Sequence, residues 1–94
     1  MSEKPLHPDI VKFISSLSLI EKTLCQYHEL FWVDKIMKIQ LIARLSDDHC
    51  IDNFLGLFGG IGSLNDLVLD APKIVNEEFR RELNKAYAIA KKLE

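Results

Sequence analysis

Hydrophobic side chains recur every third or fourth residue through most of this chain, which is the spacing of one face of a helix. Ile10, Phe13, Leu17, Ile20, Leu24 and Tyr27 are separated by steps of three and four, while Lys12, Ser15, Ser16, Lys22 and Gln26 fall on other faces. Pro8 suits a first helical turn and Asp9 suits the positive end of the helix dipole. The pattern predicts an amphipathic helix from about Pro8 to about Tyr27. From Asp9 to Leu55 there is neither glycine nor proline. One helix over that stretch would be about 70 Å long, far more than a domain of this size is wide, so the chain must fold back on itself. The break is expected near His28, although no turn-forming residue marks it.

A second helix is predicted from about Glu29 to Leu45. Trp32, Ile36, Ile39 and Ala43 form one apolar ladder, and Leu30, Val33, Met37 and Leu41 form another. Only a narrow strip containing Asp34 and Lys38 is polar. A helix that is apolar almost all round is either central in a core or covered by a partner. Ser46-Asp47-Asp48 reads as a stop and restart, with Ser46 or Asp47 as cap. Cys50, Ile51, Phe54, Leu55 and Phe58 then mark a short third helix ending at Gly59-Gly60. Ser63-Leu64-Asn65-Asp66 can open one further turn before Pro72. The last helix is expected to begin at Asn76 as cap, with Glu77 and Glu78 in its first turn. Phe79, Leu83, Ala86, Ala90 and Leu93 form its buried face, widened by Tyr87, and Lys91 and Lys92 complement its negative end.

These elements make an all-α, single-domain bundle of four to five helices, with a Gly-rich loop between the third and last. Residues 1–7 read as a flexible N-terminal tail and 8–94 as the domain. At 94 residues, with 48% hydrophobic and 28% charged side chains, there is material for one core. No apolar run is long enough to span a membrane, and no signal peptide is apparent, so a cytoplasmic location is expected. Cys25 and Cys50 are then expected as two buried thiols rather than a disulfide.

The net charge of −2 argues against a general nucleic-acid binder, which needs a strong basic excess. That figure conceals an uneven distribution. Residues 1–45 carry six basic and five acidic side chains, and residues 73–94 carry six and four. Residues 46–72 carry Asp47, Asp48, Asp52, Asp66 and Asp70 with no Lys or Arg. Aspartate caps helices and fills turns, which is one account of this run. The other is an acidic surface for a basic partner, which would speed and select association.

Candidate chemistry concentrates in the same segment. Gly59, Gly60 and Gly62 allow unusual backbone conformations, and a helical turn beginning at Ser63 would offer free N–H groups. However, no Gly-Lys-Ser/Thr ending follows and no strand precedes, so the loop matches neither a Walker loop nor a dinucleotide fingerprint. Asp66 would also repel phosphate. The remaining readings are a tight helix connection, in which Ser63 and Asn65 bond the loop, and a partner-binding loop. Asp47, Asp48, His49, Cys50 and Asp52 are metal-ligand types, but no second pair at zinc spacing accompanies them, and no metal or cofactor is expected. Tyr27-His28-Glu29 has acid–base types with no nucleophile placed beside them.

Phe31-Trp32, followed by Phe58-Gly59-Gly60-Ile61-Gly62-Ser63-Leu64-Asn65-Asp66-Leu67, resembles an uncharacterised family of short bacterial proteins. Its members carry a Phe-Trp pair, a helix, and a Phe-Gly-Gly-Met-Gly-Ser-(Leu/Phe/Ile)-Asn-Asp block. Residues 20–93 share the resemblance. Ile61 stands where the family has Met, and Tyr27-His28-Glu29 where it often has His-Gly. The resemblance implies a bacterial, cytoplasmic, all-helical domain, but no reaction. Small domains of this kind resemble, by analogy, immunity proteins of toxin systems.

The leading expectation is therefore a non-enzymatic binding protein that neutralises a toxin. Its contacts would come from Asp47, Asp48, Asp52, Gly59, Gly60, Gly62, Ser63, Asn65, Asp66 and Asp70. The alternatives are a regulatory domain that binds a small ligand or nucleotide through Gly59–Asp66, and a module whose second helix completes a homodimer.

Overall fold

The computed structural model describes residues 8–45, 49–58 and 64–94, apart from the side chain of Asn65. Among the described residues four helices, α1 (Pro8–Gln26), α2 (Leu30–Arg44), α3 (His49–Leu55) and α4 (Lys73–Leu93), form an all-α bundle. A 3-10 turn, Leu64–Asp66, lies between α3 and α4. The expected tail, residues 1–7, lies outside the described residues, as do Ser46, Asp47 and Asp48.

α1 is the spine. Its predicted face is buried at Phe13, Leu17, Ile20 and Leu24, and it packs along both α2 and α4, while short α3 packs against the same two helices. α4 buries Phe79, Leu83, Ala86 and Ala90, four of the five positions its spacing predicts. Lys92 Nζ lies 3.3 Å from Asp9 Oδ2, so the end of α4 is tied to the start of α1.

The α1–α2 break is built without glycine. His28 takes φ 61°, its N–H bonds to the Cys25 carbonyl at 3.2 Å, and the Glu29 N–H reaches back to Leu24 at 2.9 Å. This is a Schellman ending, with His28 in the left-handed position that glycine usually occupies.

α2 resolves its two apolar ladders in favour of one. Ile36, Ile39 and Ala43 are buried and Trp32 is partly so, whereas Leu30, Phe31, Met37 and Leu41 are exposed. The helix lies on a flank of the bundle rather than at its centre. Gln40 is also buried. Its Oε1 accepts from Ser18 Oγ at 3.0 Å and its Nε2 donates to Glu21 Oε1 at 2.7 Å. Two α1 side chains thus satisfy an amide that burial would otherwise penalise.

Two expectations are corrected. α4 begins at Lys73 with Pro72 as its N-cap, so Asn76 lies inside the first turns and does not cap it. Its side chain turns back to the preceding segment: Oδ1 accepts from the Leu69 N–H at 2.8 Å, and Nδ2 donates to the carbonyls of Leu69 at 3.1 Å and Ala71 at 3.3 Å. Of the two cysteines, Cys50 is buried but Cys25 is exposed, and the two are not joined in a disulfide. Position 25 lies one residue off the buried α1 face, about 100° round the helix from Leu24.

Candidate protein-interaction surface

Within the acidic segment, apolar side chains anchor the backbone and leave Asp52, Asp66 and Asp70 outside. α3 turns Cys50, Ile51 and Phe54 inward and exposes Asp52 and Asn53. Phe54 is fully buried in a line of ring contacts joining three parts of the fold. Its ring meets Phe13 of α1 at 5.1 Å and 87°, and Phe58 at 5.0 Å; Phe58 in turn lies 5.0 Å from Tyr87 of α4. Edge-on contacts of this kind add to the burial of the rings themselves.

The two ends of the glycine-rich stretch are pinned to each other. The Leu64 N–H bonds to the Leu57 carbonyl at 2.8 Å, and Leu64 is fully buried. Gly59, Gly60, Gly62 and Ser63 themselves lie outside the described residues, as does the Asn65 side chain. Beyond the 3-10 turn, Leu69 is buried while Asp66, Val68 and Asp70 are exposed. Asp70 stands between Leu69 and Ala71, the two residues whose backbone Asn76 holds.

Three of the five segment aspartates, Asp52, Asp66 and Asp70, are thus placed at the surface, and none of them forms an ion pair among the described residues. Asp47 and Asp48 lie outside those residues. Among the described residues no group of three His, Cys, Asp or Glu side chains could hold a metal ion, and Cys50 points into the core. His28 ends α1 in the left-handed conformation. No helix of the described residues is long and apolar enough to cross a membrane.

Two features were missed in the sequence. The Ser18–Gln40–Glu21 network joins residues about twenty positions apart, with no local signal. The Asn76 clamp had a signal, an Asn shortly after a Pro, that also fits a helix cap.

No curated protein and no solved structure matches the chain. A family model matches residues 25–73, just over half of the 94 residues, and that span holds α2, α3, the glycine-rich stretch and the 3-10 turn. By that match the chain belongs to the family described as a domain of unknown function, DUF6966.

Proposed function

We propose that this chain is a non-enzymatic binding protein that captures a basic protein partner through segment 46–72, acting in the bacterial cytoplasm in the manner of an immunity protein that neutralises a toxin. One observation carries the reading: Asp52, Asp66 and Asp70 are exposed without an ion-pair partner among the described residues, in a segment with five Asp and no Lys or Arg. An acidic surface of this kind raises the encounter rate with a basic partner and rejects acidic ones. Its reach is about 10 Å at 0.1 M salt, so binding of this kind weakens steeply as salt rises.

The test is co-purification with the product of the adjacent gene, followed by Asp52→Lys and Asp66→Lys in the same assay. Both side chains are exposed, so neither variant should disturb the fold. The expected result is slower association at low salt, with the difference shrinking as salt is added. Unchanged binding at low salt would refute the acidic-surface reading.

A further inference from the structure

We propose that the outer face of α2 is a self-association surface on which a second copy of this chain docks across a two-fold axis. The face is mostly apolar, with one acidic side chain, Asp34, set within it. Leu30, Met37 and Leu41, with Leu45 at the C-cap, are spaced by seven, four and four residues, which at 3.6 residues per turn sets them within about a quarter of the helix circumference. Phe31 flanks the stripe, with the Lys35 ammonium 5.3 Å above its ring.

Exposure at these positions is high: Leu30 65%, Phe31 65%, Met37 48%, Leu41 62% and Leu45 79%. Taking about 200 Å² for a large side chain, the five together present on the order of 600 Å² of surface. That is at the upper limit of the largest patch on a typical monomer, about 300–600 Å². A standard interface draws roughly 800 Å² from each partner, so the contact expected here is a small one that dissociates readily.

The charges on this face select the occupant. Asp34 lies within the stripe, four residues after Leu30 and three before Met37, and Lys38 borders it; both are well exposed and pair with each other at 2.9 Å. A partner of one sign would meet a like charge at one of them. A copy related by a two-fold axis near Met37 meets neither. The two α2 helices run antiparallel, Leu30 and Phe31 of one lie against Leu41 of the other, and Asp34 of each comes opposite Lys38 of its mate. Such an isologous contact is self-complementary by symmetry.

The surface lies on α2 and not on segment 46–72, so it stands or falls separately from the acidic-partner reading. The experiment is sedimentation equilibrium of the purified chain up to millimolar concentration. The expected species has twice the 10.8 kDa chain mass and dissociates on dilution. Leu41→Glu and Met37→Lys should each give a monomer with an unchanged circular dichroism spectrum. Asp34→Lys and Lys38→Asp should each be monomeric alone, and mixing them should restore the dimer mass. A monomer for the unmodified chain at millimolar concentration overturns the proposal, as does a dimer that survives Leu41→Glu and Met37→Lys together. A monomer that sediments with phosphatidylserine vesicles, and loses that property in Leu41→Glu, also overturns it and assigns the face to a lipid surface.

Discussion

Replacing Asn76 by Ala should loosen the segment between the 3-10 turn and α4 and destabilise the fold by about 2 kcal/mol. The Asn76 amide makes three hydrogen bonds, to the Leu69 N–H at 2.8 Å, the Leu69 carbonyl at 3.1 Å and the Ala71 carbonyl at 3.3 Å. At about 0.5–1.5 kcal/mol net per bond, with the longest counted least, the loss is about 2–3 kcal/mol. Alanine's better helix propensity offsets roughly half a kcal/mol of that. Leu69 is only 3% exposed, so water replaces the lost partners poorly. For a domain of this length the midpoint of thermal unfolding should fall by about 10 °C. Asn76→Asp separates the contributions: it keeps an acceptor for the Leu69 N–H but turns an oxygen toward two carbonyls, and it should be at least as unstable as Asn76→Ala. Amide hydrogen exchange supplies the local readout, because the Leu69 N–H loses its acceptor only in Asn76→Ala. A stability change below about 0.5 kcal/mol, or unaltered protection at Leu69, would refute the clamp.

Two other substitutions probe the frame. His28→Gly should stabilise the fold by about 0.5–1 kcal/mol in denaturant titration, because a left-handed backbone costs an L-residue about 1–2 kcal/mol and glycine's greater freedom when unfolded returns only part of that; a loss of stability would mean that the His28 side chain holds the turn. Phe54→Ala should cost about 3–5 kcal/mol, a large share of the roughly 5–14 kcal/mol expected for 94 residues, and a cost below about 2 kcal/mol would show that the ring line through Phe13, Phe54 and Phe58 is not central to the core.

How much of this was legible follows from how local each cause is. α1 and α4 each carry one apolar face, so a three-four period both announces the helix and names its buried side. α2 carries two, and periodicity cannot choose between them. The choice falls to a polar residue, Gln40, whose burial depends on Ser18 and Glu21 of another helix and so leaves no mark in its own neighbourhood. The α1–α2 break had a predictable place but an unexpected agent, since His28 adopts the geometry for which glycine is the usual signal. Asn76 was recognised as a residue that satisfies free backbone groups near a helix start, but the groups it serves belong to Leu69 and Ala71, and Pro72 already starts the helix. Within the candidate surface, the run of aspartates is plain in the sequence. Their exposure is not, because it depends on which neighbours the core takes: Cys50, Ile51, Phe54, Leu64 and Leu69.

That division of labour ties the clamp to the proposed function. Asp70 sits between the two residues that Asn76 holds, and Asp66 lies two residues after Leu64, whose N–H is bound to Leu57. Charges on a fixed backbone need not be ordered when a partner arrives, and ordering one residue costs about 1–2 kcal/mol. Releasing the clamp should therefore weaken partner binding by about five- to thirtyfold even though no charge changes. The kinetic signature is distinctive. Asp66→Lys alters the long-range field and should act mainly on association, with a strong dependence on salt. Asn76→Ala leaves the field intact and should act mainly on dissociation, with the salt dependence unchanged. Equal effects of both variants on association would mean that Asp70 and its neighbours take no part in the bound state, and that the surface only steers the encounter.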